Sequence, residues 1–306
     1  MKVLVTGCTG LVGHGICLYL LKRGWEVWGS SRKTLKSRHE RFHPVKLDIY
    51  SDESVKNLGN DLVDVDAVVH SAALIPAIGA DDGISFFETN LLGTYRIMNL
   101  ACRTKIQKFI YISSTAIVDQ GNEEREDSEF FPKNEYVSSK IVGEIVVRQF
   151  LVQNKLNSAI LRISAPYGYI ENSKAVIPKF ISFAKENKDI TLWGTGKREQ
   201  VFTFVDDIGS ACELALGKSV TGIFNVCGAS PSTMKELADS VLNAYRESSS
   251  KIVYSGERDP EENRERKICI EKAKRELGFF PQYDLRTGLK KIADAGDEIN
   301  FFEEEN

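Results

Sequence analysis

The sequence predicts an α/β chain built on a doubly wound parallel sheet, with a smaller α/β part in the C-terminal half. Three observations carry this. Apolar runs of strand length alternate with longer amphipathic stretches from residue 2 to about residue 165. A glycine-rich turn follows the first of these runs at once. Beyond residue 165 the alternation loosens into shorter patterns. A length of 306 residues suits one large domain with an appended part. The expected division is 1–165 for the sheet domain, with strands near 201–227 returning to it, and 166–306 for the remainder.

Lys2–Thr6 reads as a buried parallel strand and Leu11–Arg23 as a helix stopped by Gly24. Glu26–Gly29 and Val45–Leu47 read as the second and third strands, and Val65–His70, Lys108–Ser113 and Ala159–Ile163 as the next three. Helical spacing falls at Ser51–Leu58, Phe86–Cys102 and Glu135–Gln153. After a Pro/Gly/Tyr turn, Val176–Glu186 reads as a helix. Strand patterns follow at Ile190–Trp193, Val201–Val205 and Gly222–Val226, and helical ones at Met234–Tyr245 and Glu271–Leu277. Glu123–Glu129 reads as an acidic loop and the final FFEEEN as a frayed tail. Sheets of this kind bind ligands beyond the carboxyl ends of their strands, where the strand order reverses.

The 40 basic and 43 acidic side chains nearly cancel, and no stretch is strongly basic, so a nucleic-acid partner is not indicated. The six cysteines are scattered and form no zinc-type cluster, so no metal is expected and a reduced, cytoplasmic chain is. MKVLVTG reads as a strand and not as a signal peptide. No apolar run approaches the ~20 residues a membrane-spanning helix needs.

Gly7, Gly10 and Gly13 lie in Thr6-Gly7-Cys8-Thr9-Gly10-Leu11-Val12-Gly13, between the first strand and the first helix. A dinucleotide pyrophosphate needs bare backbone N–H groups at a helix N-terminus, with no Cβ in the way. Gly7 and Gly10 allow that approach and Gly13 lets helix and sheet close together. The fold is therefore expected to be Rossmann-type. The second strand ends in Ser31-Arg32 with no carboxylate. An acid there accepts from a free ribose hydroxyl, whereas an Arg pairs with a 2′-phosphate. NADP(H) is the expected cofactor, with NAD(H) as the alternative.

Tyr136 and Lys140 stand four residues apart on one face of a predicted helix. A phenol with a pKa of about 10 is a poor base at neutral pH, and a neighbouring ammonium favours its ionised form. Tyr136 is the expected acid/base and Lys140 its tuning group, also placed to donate to a cofactor ribose.

With the glycine loop and this pair, the sequence resembles the extended short-chain dehydrogenase/reductases, the NAD(P)-dependent epimerase/dehydratase family, over most of its length. The resemblance implies that Thr9, Leu11 and Val12 help hold the cofactor and that Asp48 and Ile49 lie beside the adenine. It implies that Ser71, Ala72, Ala73, Asn90, Ser113 and Pro166 line the cofactor cleft. It also implies that Thr115 donates to the reacting oxygen, with Ser114 as the alternative.

The chain departs from the family in places. Ala116-Ile117 stands where dehydratases carry Asp-Glu, and Val118-Asp119 where Tyr-Gly is usual. Gln200 stands in place of a diphosphate-binding Arg, with Arg198 as a substitute and Arg258 as a second candidate. The expected activity is redox chemistry on a nucleotide-activated sugar, by 4-keto reduction or by epimerisation through a keto intermediate. Ser31-Arg32 tips this towards reduction. Reduction of a non-nucleotide carbonyl and a non-catalytic NAD(P)-binding sensor are the alternatives. The helices over Phe86–Cys102 and Glu135–Gln153 are expected to pair two copies into a homodimer.

Overall fold

The computed structural model describes residues 1–61, 65–76, 83–104, 106–121, 123–154, 156–170 and 175–305. In the first half, β1 (Lys2–Thr6), α1 (Leu11–Lys22), β2 (Glu26–Ser31), β3 (Leu35–Ser37), β4 (Phe42–Lys46), α2 (Asp52–Asp61) and β5 (Ala67–His70) follow one another. Next, α3 (Gly83–Phe86) continues through a π-helical stretch (Phe87–Gly93) into α4 (Thr94–Arg103). Then come β6 (Lys108–Ser114), a 3₁₀ turn (Thr115–Val118), α5 (Glu135–Asn154) and β7 (Asn157–Ile163).

The second half runs β8 (Pro166–Tyr167), α6 (Val176–Lys185), β9 (Ile190–Leu192), β10 (Glu199–Gln200), β11 (Thr203–Phe204), α7 (Val205–Gly217) and β12 (Gly222–Val226). It ends with β13 (Ser232–Thr233), α8 (Met234–Ala244), β14 (Ile252–Tyr254), a π turn (Ala273–Leu277), α9 (Leu285–Ala293) and β15 (Phe302–Glu304).

Seven strands form one parallel sheet in the order β12-β7-β6-β5-β1-β2-β4. The order reverses between β1 and β5, so the ligand crevice opens at Thr6 and His70. Val3, Leu4, Val5, Ala67, Val68 and Val69 are fully buried, as strands covered by helices on both faces must be. α1 and α7 cross in contact because two glycines leave room. A Cβ on Gly15 would stand 2.3 Å from Val205 Cβ, and one on Gly209 2.5 Å from Tyr19 Cβ.

Three expectations change. The strand pattern at Val201–Val205 forms only β11, which pairs with β8 and not with the main sheet; helix α7 starts at Val205. Of the strands expected to return near 201–227, β12 does so, beside β7. The helix over Phe86–Cys102 is not uniform, since its middle is wound as a π-helix. The frayed tail is instead a strand: β15 pairs antiparallel with β3, because Phe301 is buried against the rings of His14 and Phe42 at 4.8 and 4.7 Å. Asn306 lies outside the described residues.

Candidate active site

The glycine loop is held tightly. Gly7 has φ +74°, and a Cβ there would lie 2.9 Å from Ala72 Cα. A Cβ on Gly13 would lie 2.2 Å from Gly7 O. Gly10 caps α1 with no side chain, and no acidic residue stands in its first turn. The helix thus presents unclaimed N–H groups and the positive end of its dipole, and Thr9, Gly10, Leu11 and Val12 stand at that end. This cradle fits a dinucleotide pyrophosphate.

A hydrogen-bond chain fixes the crevice. Thr6 Oγ1 accepts from the N–H groups of Ser71 (3.2 Å) and Ala72 (3.1 Å), so its proton goes to His70 Nδ1 at 2.8 Å. His70 Nε2 then donates to Thr94 Oγ1 at 3.0 Å, which donates to Asn90 O at 2.6 Å. Burial lowers the His70 pKa to about 3, and the Lys140 charge adds to the effect, so the ring stays neutral. Asn90 is buried and holds the Leu74 backbone N–H and C=O at 2.7 and 3.0 Å, and its Nδ2 also reaches Ser139 Oγ at 3.0 Å. It thereby ties the loop carrying Ser71, Ala72 and Ala73 to α5. The π-helical winding places Asn90 there, as such windings often do at functional sites.

At the far end, Ser31 is buried and its hydroxyl oxygen accepts from Lys33 N at 3.1 Å. Arg32 is exposed. Asp48 accepts from Tyr50 N at 3.0 Å, and Ile49 is buried with its Cδ1 where a Gly93 Cβ would stand, 2.7 Å away. Asp48 therefore holds the turn that follows β4 and stays half-buried.

Helix α5 carries Tyr136, Lys140 and Glu144 on successive turns. Asn134 Oδ1 accepts from Val137 N at 2.9 Å and starts the helix. Tyr136 meets the Ser114 hydroxyl and the Phe86 ring, whose centroid is 5.9 Å away. Burial raises the Tyr136 pKa above the usual phenol value, and the Ser114 contact opposes this. Lys140 is buried; its Nζ donates to Ile112 O at 2.7 Å and lies 4.4 Å from the Tyr111 ring centroid. Burial lowers its pKa to about 7, with Glu144 opposing. Lys140 Nζ is thus engaged by the Ile112 carbonyl, and burial acts on Tyr136 against the lowering that a neighbouring ammonium would give.

The two hydroxyls after β6 separate. Ser114 is the one beside Tyr136. Thr115 is buried, 3.4 Å from Arg266 Nη2. Ser113 is buried too, its Oγ without a hydrogen-bond partner. Arg266 pairs with Asp119 at 2.7 Å and Glu124 at 2.9 Å, and Asp119 also meets Lys133 at 2.7 Å and Arg264. Burial pushes the Glu124 carboxyl up to about 7, with Arg266 opposing. Sequence reasoning missed this ionic cluster. The available signals were Asp119 in a glycine position and the Arg264-Glu265-Arg266 run. It also missed the buried pair of Arg162 and Glu144, at 2.9 Å, which joins β7 to α5.

The remaining substrate-half residues are less concentrated. Arg198 is held by Asp259 at 3.4 Å and Glu261 at 3.5 Å, Gln200 Oε1 accepts from Val201 N at 3.1 Å, and Arg258 is exposed beside Asp259. Pro166 pairs with Thr203 across β8 and β11, just after Ala165, whose φ of +31° is strained for a non-glycine. Asp206 and Asp207, in the first turn of α7, bind distant groups. Asp206 accepts from Tyr169 at 3.1 Å, and Asp207 from the N–H groups of Gln282 and Tyr283 at 2.8 and 3.3 Å.

Among the described residues, no group of three or more His, Cys, Asp or Glu could hold a metal ion, and no helix is long and apolar enough to cross a membrane. The six cysteines are free thiols.

Comparison with known proteins agrees with this geometry. The chain is 28% identical over 253 residues to a dTDP-D-glucose 4,6-dehydratase of Dictyostelium discoideum, covering 74% of this chain and 58% of that relative's length. It is 26% identical to the low-salt glycan biosynthesis protein Agl12 of Haloferax volcanii, over 97% of this chain and 100% of that protein. The solved UDP-N-acetylglucosamine 4-epimerase from Bacillus cereus superposes with a TM-score of 0.83 at 25% identity, covering 96% of this chain and 98% of that one. A UDP-glucuronic acid 4-epimerase from Bacillus cereus, solved with NAD, shares the fold at a TM-score of 0.82 and 24% identity, over the same shares of the two chains. Residues 3–227 match the NAD dependent epimerase/dehydratase family, and the chain belongs to that family.

Proposed function

We propose that this chain carries out NAD(P)-dependent oxidoreduction at a carbon of a nucleotide-activated sugar, with Tyr136 as acid/base. The observation that carries the proposal is the contact of Tyr136 with Ser114 one helical turn from buried Lys140, at the carboxyl end of β6. The family and its nucleotide-sugar relatives support the substrate class.

The α1 N-terminus and glycine loop would hold the pyrophosphate, and Ser31, Arg32, Asp48 and Ile49 the adenosine end. Ser71 to Ala73 and Asn90 would line the cleft. The nicotinamide, when bound, supplies or accepts a hydride. Tyr136 is protonated in the resting site, so it starts as an acid: its hydroxyl gives a proton to a sugar carbonyl oxygen as that carbon is reduced. Ser114 donates a second hydrogen bond to the same oxygen. Thr115, turned to Arg266, serves the wall of the site. Lys140 holds the helix to the Ile112 carbonyl, one helical turn from Tyr136. In the reverse direction Tyr136 takes the proton back.

Ser31 and Arg32 favour the 2′-phosphate of NADP(H), and with it reduction of a keto sugar over epimerisation. The absence of an Asp-Glu pair at Ala116-Ile117 sets the chain apart from 4,6-dehydration. The assembly we propose is a homodimer through α4 and α5.

The test is a thermal-shift screen of nucleotide sugars with each cofactor, followed by kinetics of wild type and Tyr136→Phe. We expect the variant to lose about 10²-fold or more in kcat with cofactor affinity nearly unchanged. Turnover within a few-fold of wild type would remove Tyr136 from the chemistry.

A further inference from the structure

The last strand of the chain lies against the loop that follows β2. β15 pairs antiparallel with β3, Leu35 opposite Glu304 and Ser37 opposite Phe302. Arg38 N donates to Phe301 O at 2.9 Å, and Glu305 N to Thr34 O at 3.0 Å. On this frame Glu304 pairs with Lys33, and Glu303 pairs with Arg38 and, at 3.7 Å, with Lys36. The stretch 32–38 carries the cations Arg32, Lys33, Lys36 and Arg38. C-terminal carboxylates meet three of them. Arg32 is exposed, with no hydrogen bond or ion pair among the described residues.

The same segment reaches the pyrophosphate cradle. His14, next to Gly13 on α1, meets Ile299 O through its Nε2 at 3.0 Å and stacks on buried Phe301. Burial lowers the His14 pKa to about 4, so the neutral ring donates to that carbonyl. The C-terminus thus touches both elements that would hold the two ends of an adenosine diphosphate.

We propose that β15 is a cofactor-selecting element: Glu303 and Glu304 neutralise the basic loop after β2, leaving discrimination for a 2′-phosphate to Arg32 and Ser31 alone. This rests on reading that loop as the adenosine end of the dinucleotide site. A phosphate monoester brings about two negative charges. Free, Lys33 would add its attraction for that group. Glu304 removes the attraction and adds like-charge repulsion. NADH lacks the 2′-phosphate and shares only the pyrophosphate, so the carboxylates act chiefly on NADPH, and the ratio of the two affinities is the signature.

The experiment is calorimetric titration of NADPH and NADH into wild type and a Glu303→Gln/Glu304→Gln double variant, whose fold is checked by its Tm. Both side chains are partly exposed, and glutamine keeps their size. The double variant should bind NADPH about three- to tenfold more tightly and NADH within about twofold, with the gain fading as salt is raised. An unchanged ratio overturns the proposal. An equal loss of both cofactors, which would make β15 a structural support only, overturns it too. A wild-type protein that binds neither cofactor contradicts the dinucleotide site itself, and the strand's role with it. One that binds both, at a ratio the glutamines do not move, contradicts only the strand's role.

Discussion

At the scale of single residues, the site divides into what local pattern reveals and what distant partners decide. The placement of Gly7, Gly13, Tyr136 and Lys140 was legible because backbone conformation or helical spacing over a few positions fixes it. The surroundings of Ser114 and Thr115 were not. Thr115 lies beside Arg266, 151 residues away, which also pairs with the Asp119 and Glu124 carboxylates. Two substitutions separate these hydroxyls. Ser114→Ala should lower kcat by about 10- to 100-fold, as loss of a hydrogen bond made to the reacting oxygen does. Thr115→Val should keep kcat within about threefold and lower Tm, because it removes a partner of a buried guanidinium. Steady-state kinetics and thermal denaturation of both variants decide it, and the reverse ranking would restore Thr115 as the donor.

At the scale of elements, the seven strands of the main sheet were largely legible, six from strand-length apolar runs in the first half and the seventh, β12, as a strand pattern at Gly222–Val226. The elements that escaped are fixed by tertiary contacts. Helix α7 forms beyond a strand-like apolar run and packs on α1 through Gly15 and Gly209. α9 is started by Asp284, whose carboxylate accepts from Thr287 N at 2.7 Å, a short cap within a polar stretch. β15 carries two acidic residues, and burial of the preceding Phe301 overrides its tail-like composition. Helix α5 shows how an element serves the site. Glu144, one turn beyond Lys140, forms a buried bidentate pair with Arg162 at 2.9 and 3.0 Å. Removing one member leaves the other charge buried alone. Glu144→Ala should therefore cost about 3–5 kcal/mol in urea denaturation. A loss under about 1 kcal/mol would show the pair to be solvated.

At the scale of the whole molecule, two further outcomes follow. His70 is neutral in the fold down to about pH 3, whereas the unfolded chain takes up a proton from about pH 6.5 downward. The unfolded state therefore binds more protons in that window, and stability falls as pH falls. Denaturation from pH 7 to pH 5 should show the wild type losing about 2 kcal/mol in total more than His70→Asn, the slope steepening towards pH 5. Equal slopes would mean that the ring is protonated in the fold. The second outcome concerns assembly. Leu92, Tyr95, Ile145 and Val152 stay exposed near and along α4 and α5, so Tyr95→Glu/Val152→Glu should turn a dimer into a monomer by light scattering, and a wild type already monomeric at micromolar concentration would refute the pairing. The central claim joins sheet, cradle and helix α5 into one reaction, and isotope transfer tests it most directly. The protein is given reduced cofactor carrying deuterium at its transferable position, together with the keto form of the nucleotide sugar selected by the thermal-shift screen. The account predicts deuterium on the sugar carbon with wild type, and at least about 10²-fold slower labelling with Tyr136→Phe. An unlabelled sugar, or equal labelling by both proteins, would contradict it.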